Sequence, residues 1–116
     1  MAQPTETDEW LAELVESWTE VYKKSMTTVV LLRIVNEAGP IHAAGIAPKF
    51  THDTGWKLTE RGLYRTIRRL AGAGLLDTDV EQAAKTGAQR KLYTLSPVGV
   101  AYLELIEGQI LQHGPS

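Results

Sequence analysis

The stretch from Thr59 to Leu76, TERGLYRTIRRLAGAGLL, leaves the chain few ways to fold. At a helical advance of about 100° per residue, Leu63, Ile67 and Leu70 fall on one side, with Ala71 at the edge of that stripe. Arg61, Arg65 and Arg68 fall on the opposite side, with Arg69 at the edge of that group. Such a segment is a short helix with one face in a core and cations on the other. Thr59 is placed to cap it, because a threonine hydroxyl can accept an orphan backbone N–H of the first turn. Gly72-Ala73-Gly74 ends it, since glycine tolerates the left-handed conformation that a helix end needs. Leu75 and Leu76 then begin something extended. A guanidinium is a planar fork of donors that matches phosphate and the guanine edge. An arginine stripe with few acids nearby therefore suits a surface that meets nucleic acid. A solvated face is the plainer reading of this helix taken alone, and the flanking sequence decides between them.

Downstream, Leu76 to Gln82 and Arg90 to Leu95 read as two strands. Leu76, Thr78 and Val80 alternate in the first; in the second, Tyr93 and Leu95 share a face and Leu92 falls on the other. The small, polar AAKTGAQ between them is a hairpin loop with one lysine, Lys85. Ser96-Pro97 opens a last helix, with serine as cap and proline at the first helical position. Its apolar stripe is Val98, Tyr102, Leu105, Ile106 and Ile110, and the tail from His113 to Ser116 is expected to fray.

Upstream, residues 26–38 are apolar almost all round and read as a central, buried helix, capped by Ser25 and ended by Gly39-Pro40. Residues 41–52 read as a shorter helix with Ile41, Ala44, Ile46 and Phe50 inward. Pro48 removes a backbone donor there and is expected to kink or shorten it. Asp53-Thr54-Gly55 is a turn, and Trp56 and Leu58 form a brief extended pair. Residues 7–24 read as a separate helix, with Trp10, Leu11, Leu14, Trp18, Val21 and Tyr22 on one stripe and acids on the other face. Two tryptophans on one terminal stripe fit a dimer interface first, packing on the domain's own core second, and an aromatic ligand pocket third.

The fold class expected from this order is mainly α with a small β-hairpin. It is a winged helix–turn–helix with extra N-terminal and C-terminal helices, dimeric. The second helix of the pair enters the major groove and the hairpin wing reaches the neighbouring backbone or minor groove. The organisation expected is an N-terminal amphipathic helix for dimerisation (residues 1–24), a DNA-binding winged helix (25–96), and a C-terminal dimerisation helix with a frayed tail (97–116). Net charge bears on this only through its distribution. The sum is −2, but residues 1–24 hold Glu6, Asp8, Glu9, Glu13, Glu16 and Glu20 against Lys23 and Lys24. Residues 57–91 hold Lys57, Arg61, Arg65, Arg68, Arg69, Lys85, Arg90 and Lys91 against Glu60, Asp77, Asp79 and Glu81. The acidic start and basic centre fit a regulator that reads a defined site through a local patch. The sequence contains no cysteine, which removes disulfide and thiolate chemistry. His42, His52 and His113 are scattered, so neither a metal site nor any other cofactor is expected. No nucleophile triad order or glycine-rich phosphate loop appears, so no catalytic residue is proposed and an enzyme is not expected. No apolar run reaches the roughly eighteen residues of a membrane span, and the polar MAQPTETDEW does not read as a signal peptide. The expected location is the cytoplasm.

Three segments resemble the PadR-type transcriptional regulators. GPIHAAGIAPKF (39–50) is similar to that family's Gly-Pro-hydrophobic-His-Gly-Tyr stretch. LTERGLYRTIRRLAGAGLL (58–76) is similar to its Leu-Ser-x-Gly-Thr-Leu-Tyr segment with the following Arg-Leu-x-x-x-Gly-Leu, and RKLYTLSPVG (90–99) to its Arg-x-x-Tyr-x-Leu-Thr-x-x-Gly close. Their order and spacing fit, over about residues 30–110. The resemblance implies a dimeric regulator, often a repressor released by a small ligand, whose basic helix reads an operator in double-stranded DNA. Ala43 and Ala44 stand where the family usually has Gly and Tyr, and Arg61 and Gly62 where it usually has Gly and Thr. Those changes sit at the reading head and imply a different operator.

The DNA-binding candidates are Lys57, Thr59, Arg61, Tyr64, Arg65, Arg68, Lys85 and Arg90. Tyr64 lies on the border of the two helix faces and is a core-edge residue before it is a DNA contact. Trp10, Leu14, Trp18, Tyr22, Tyr102, Ile106 and Ile110 are the dimerisation candidates. The expected function is a sequence-specific, DNA-binding homodimeric repressor, released by a small aromatic or hydrophobic ligand. The alternative is a winged helix that binds another protein in place of DNA.

Overall fold

The computed structural model describes residues 5–82, 87 and 89–111. The elements run α1 (Glu6–Ala38), α2 (Ala43–Thr54), α3 (Glu60–Gly72), β1 (Leu76–Gln82), β2 (Gln89–Leu95) and α4 (Pro97–Ile106), followed by a π-helical turn, Glu107–Leu111. The expected winged helix–turn–helix is present: α2 and α3 are the helix pair and β1–β2 the wing.

α1 corrects one expectation. It is a single helix of 33 residues, not two helices meeting at Ser25. Neither glycine nor proline interrupts residues 5–38. Serine and threonine in mid-helix are tolerated when the hydroxyl turns back on the preceding turn. Thr27 does so, its hydroxyl donating to the Lys23 carbonyl at 2.6 Å, and Thr19 does the same to Val15 at 2.8 Å. The true start is Thr5, whose hydroxyl accepts from the Asp8 N–H while the Asp8 carboxylate accepts from the Thr5 N–H, both at 3.1 Å. The two halves of α1 differ sharply. Val29, Val30, Leu31, Leu32, Ile34 and Val35 are buried, whereas nothing before Ser25 is.

α2 runs unbroken through Pro48. The expected shortening does not occur because the lost N–H would have served the Ala44 carbonyl, and both residues lie on the exposed side where water can replace it. The helix starts at Ala43, and Ile41 is not helical. Ile41 instead forms an antiparallel bridge with Tyr93, the two exchanging backbone bonds of 2.9 and 3.1 Å. Ala44, expected inward, is exposed, and Ala43 takes the buried position. One turn of β-pairing thus fastens the wing to the start of α2.

α3 matches the sequence reading closely. The Thr59 hydroxyl accepts from the Gly62 N–H at 3.0 Å, Leu63, Ile67 and Leu70 are buried, and Gly74 takes φ +80° just past the end. β1 and β2 pair antiparallel from Leu76↔Leu95 to Gln82↔Gln89. The core gathers α1's second half, Ile46 and Phe50 of α2, the α3 stripe, Leu76, Tyr93 and Leu103. Ser96 locks the wing to α4: its buried hydroxyl donates to the Gly74 carbonyl at 2.6 Å and accepts from the Gly99 N–H at 2.9 Å. A side chain at Gly99 would put Cβ 2.1 Å from the Leu75 carbonyl oxygen, so only glycine lets α4 approach the wing this closely.

Candidate nucleic-acid interface

The α3 stripe faces outward as its periodicity requires. Arg61, Arg65 and Arg68 are exposed on the side opposite Leu63, Ile67 and Leu70, and Lys57 is exposed just before the helix. Among the described residues the ion pairs are Arg33 with Glu107 at 2.8 Å, His42 with Glu81 at 4.0 Å and His52 with Asp53 at 3.3 Å. None engages an α3 arginine. An exposed cationic stripe without carboxylate partners keeps its charge and its donors available to an anion.

Arg69 stands apart from that stripe. Its Nη2 donates to the Thr28 hydroxyl on α1 at 2.6 Å. It therefore ties the end of α3 to the central helix, a role the helical wheel cannot separate from that of its neighbours.

Arg90 is exposed on β2, and Lys85 lies outside the described residues. Tyr64 is 41% exposed and borders a cleft where three elements meet. His42, Ala43 and Ala44 come from α2 and its cap, Tyr64 from α3, and Gln89, Arg90, Lys91 and Tyr93 from β2. Burial pushes the Tyr93 phenol up, with Tyr64 beside it adding to the shift. The structure thus brings Lys57, Thr59, Arg61, Arg65 and Arg68 together on α3 and its approach, with Tyr64 and Arg90 at a flanking cleft. His42 and Lys91 belong to that cleft too, although the sequence reading counts neither among the DNA-binding candidates. The signal available is positional: His42 follows Gly39-Pro40 closely, where the α2 cap must fall.

The dimerisation candidates form a separate region. Trp10, Leu14, Trp18 and Tyr22 are all exposed along α1, Trp18 to 65%. That leaves only the Tyr22 end of the stripe touching the domain's own body, through Trp56. Trp18 and Tyr22 stack with ring centroids 5.3 Å apart, and Tyr22 meets Trp56 edge-on at 6.1 Å. At the other terminus Tyr102 and Ile110 are exposed and Ile106 is half-buried against the core. A groove between α1 and α4 is lined by Met26, Val29, Tyr102, Ile106 and Ile110, with Lys24 and Arg69 at its edge. Among the described residues no cluster of His, Asp or Glu could hold a metal ion, and no helix is long and apolar enough to cross a membrane.

The sequence profile of the family described as the transcriptional regulator PadR-like family matches residues 31–105. Among solved structures, a PadR-like transcription factor from bacteroid fragilis is similar with a TM-score of 0.69 at 22% identity, over 83% of this chain and 90% of that one. A PadR family transcriptional regulator from Eggerthella lenta gives 0.69 at 21% identity, over 87% and 86%. A PadR-like transcriptional regulator from Bacillus cereus gives 0.65 at 18% identity, over 77% and 84%. At these identities the likeness is one of fold. No curated protein sequence matches the chain.

Proposed function

The chain belongs to the PadR-like family of transcriptional regulators, and from that premise we propose that it is a sequence-specific repressor that reads double-stranded DNA as a homodimer in the cytoplasm. The observation that carries the reading is the unpaired arginine stripe of α3, presented by a helix whose opposite face is locked in the core. Arg65 and Arg68 reach base edges or flanking phosphates in the major groove. Thr59 and Arg61 sit at the helix N-terminus, where backbone donors favour phosphate. Lys57 meets the adjoining backbone, and the wing carries Arg90 and Lys85 to the next stretch of it.

Pairing would be the work of residues 1–24 and 97–116, leaving 25–96 to read DNA. The exposed α1 stripe is the kind of aromatic surface that a second copy covers. Two reading helices related by a dyad then fall on half-sites about one helical turn, roughly 34 Å, apart. A small aromatic or hydrophobic effector fits the apolar groove between α1 and α4, and Arg69, on its rim and bonded to α1, offers a path from groove to reading helix.

The test is fluorescence anisotropy with the chain's own upstream promoter DNA at low and physiological salt. Tight binding that survives excess unrelated DNA, and weakens by about 0.9 log units per log unit of salt for each phosphate neutralised, is the expected result. A folded dimer with only non-specific affinity would refute the DNA reading and direct the search to a protein partner.

A further inference from the structure

His42 links the helix pair to the wing through its ring: one nitrogen bonds β2 and the other faces a carboxylate on β1. Nδ1 lies 3.1 Å from the Lys91 carbonyl oxygen on β2. Nε2 lies 4.0 Å from the Glu81 carboxylate on β1. A carbonyl oxygen only accepts, so Nδ1 carries a hydrogen and donates it. In the neutral ring Nε2 is then a bare acceptor pointing at a carboxylate, which can also only accept. In the imidazolium both nitrogens carry hydrogens, and the ring adds a charge contact of 4.0 Å with Glu81 on β1 to its Nδ1 bond with β2. Histidine is the side chain whose ordinary titration falls between about pH 5 and 8.

We propose that His42 is a proton-operated latch on the wing: charged, it grips β1 and β2 together against the start of α2, and neutral, it holds β2 alone. The surrounding charges set the balance. Glu81 on β1 favours the imidazolium. Arg90 and Lys91 on β2 and the positive N-terminal end of α2 oppose it, while Tyr64 of α3 and Tyr93 of β2 supply only phenols. Phosphate beside Arg90 and Lys91 offsets that opposition, so DNA binding and proton uptake at His42 reinforce each other. This last step rests on the wing contacting DNA as proposed above; the latch does not.

The test separates the two. Amide hydrogen exchange at Ile41 and Tyr93, whose reciprocal bonds lie beside the latch, is measured in the full chain at about pH 6 and about pH 7.5. Each rate is normalised to its intrinsic value and to α1 core amides. The expected gain in protection at the lower pH is about two- to fivefold, the range of an exposed charge pair. His42→Asn keeps a donor near the Lys91 carbonyl and lacks the second nitrogen, so the gain disappears. Glu81→Gln removes the charge that the imidazolium meets, so the gain disappears there as well. Equal pH dependence in the parent and His42→Asn, or full pH dependence in Glu81→Gln, overturns the latch. Promoter affinity at constant ionic strength is read in parallel, and the same about two- to fivefold gain is expected. A protection gain without an affinity gain supports the latch and refutes the wing as a DNA contact.

Discussion

The two halves of α1 share one backbone and one hydrogen-bond ladder, yet their surroundings are opposites. From Val29 to Val35 the helix is the centre of the core, with Leu32 wholly buried. From Glu6 to Lys24 it projects with an aromatic stripe in the open. Both composition and arrangement separate them. The inner half is apolar around most of its circumference, so α2, β2 and α4 can pack on several sides. The outer half confines its apolar residues to one stripe and gives the rest to acids. A helix patterned in this second way needs one partner surface. The contrast teaches that apolar residues make a core where they spread around the helix and an interface where they keep to one stripe.

Mutation should split the halves cleanly. Leu32→Ala, at a position with no exposure, is expected to cost about 2–5 kcal/mol of folding free energy, read by denaturant unfolding at fixed protein concentration. A loss as small as that from an exposed position would mean the core is centred elsewhere. Trp18→Ala should leave far-UV circular dichroism unchanged and weaken self-association about thirtyfold, the scale of an interface hot spot. Sedimentation showing the parent's mass at every dilution would instead leave the outer half without a pairing role. Next in size, Arg65→Ala and Arg68→Ala should each weaken promoter binding about tenfold with folding and self-association intact. A variant that loses affinity equally on all sequences, with a shallower salt slope, marks a phosphate contact; one that relaxes the preferred sequence marks a base contact. If neither changes binding, the reading helix is misplaced.

The smallest effect expected is alkaline. Burial raises the Tyr93 phenol above its ordinary value of 10.0, so at high pH the unfolded chain gives up that proton more readily than the folded one. Stability should therefore fall as pH rises through about 10, and Tyr93→Phe should flatten the fall. A parent and variant with identical alkaline profiles would rule Tyr93 out as the group responsible.

Much of the candidate site is legible in the sequence alone. α3 carries its cap, its stop and both of its faces within fourteen residues, Thr59 to Gly72, because each signal is local. Ser96-Pro97 is equally clear, since a capping hydroxyl next to a first-turn proline has few other uses. The continuity of α1 is not legible. Ser25 can cap a helix or ride within one, and which it does depends on whether the chain on each side can compensate a break in hydrogen bonding. Ile41 reads wrongly as helical because a lone bridge residue has no period of its own; its partner, Tyr93, lies across the wing. Arg69 differs from Arg68 only in what stands beside it, and Thr28 is far away in sequence. Contacts between distant segments are the part that local pattern does not supply.

The unbroken passage of α1 through Ser25 has a rotational consequence. With no hinge between the outer stripe and the buried turns, the azimuth of Trp18 about the helix axis is set by Leu31 and Leu32. Inserting one residue near Ser25 would turn the outer stripe by about 100° relative to the reading head, whereas seven would bring it back to within about 20°. The helix thus behaves as a keyed shaft: the residue count between Tyr22 and Val29 sets the angle at which anything gripping the outer half meets the arginines of α3.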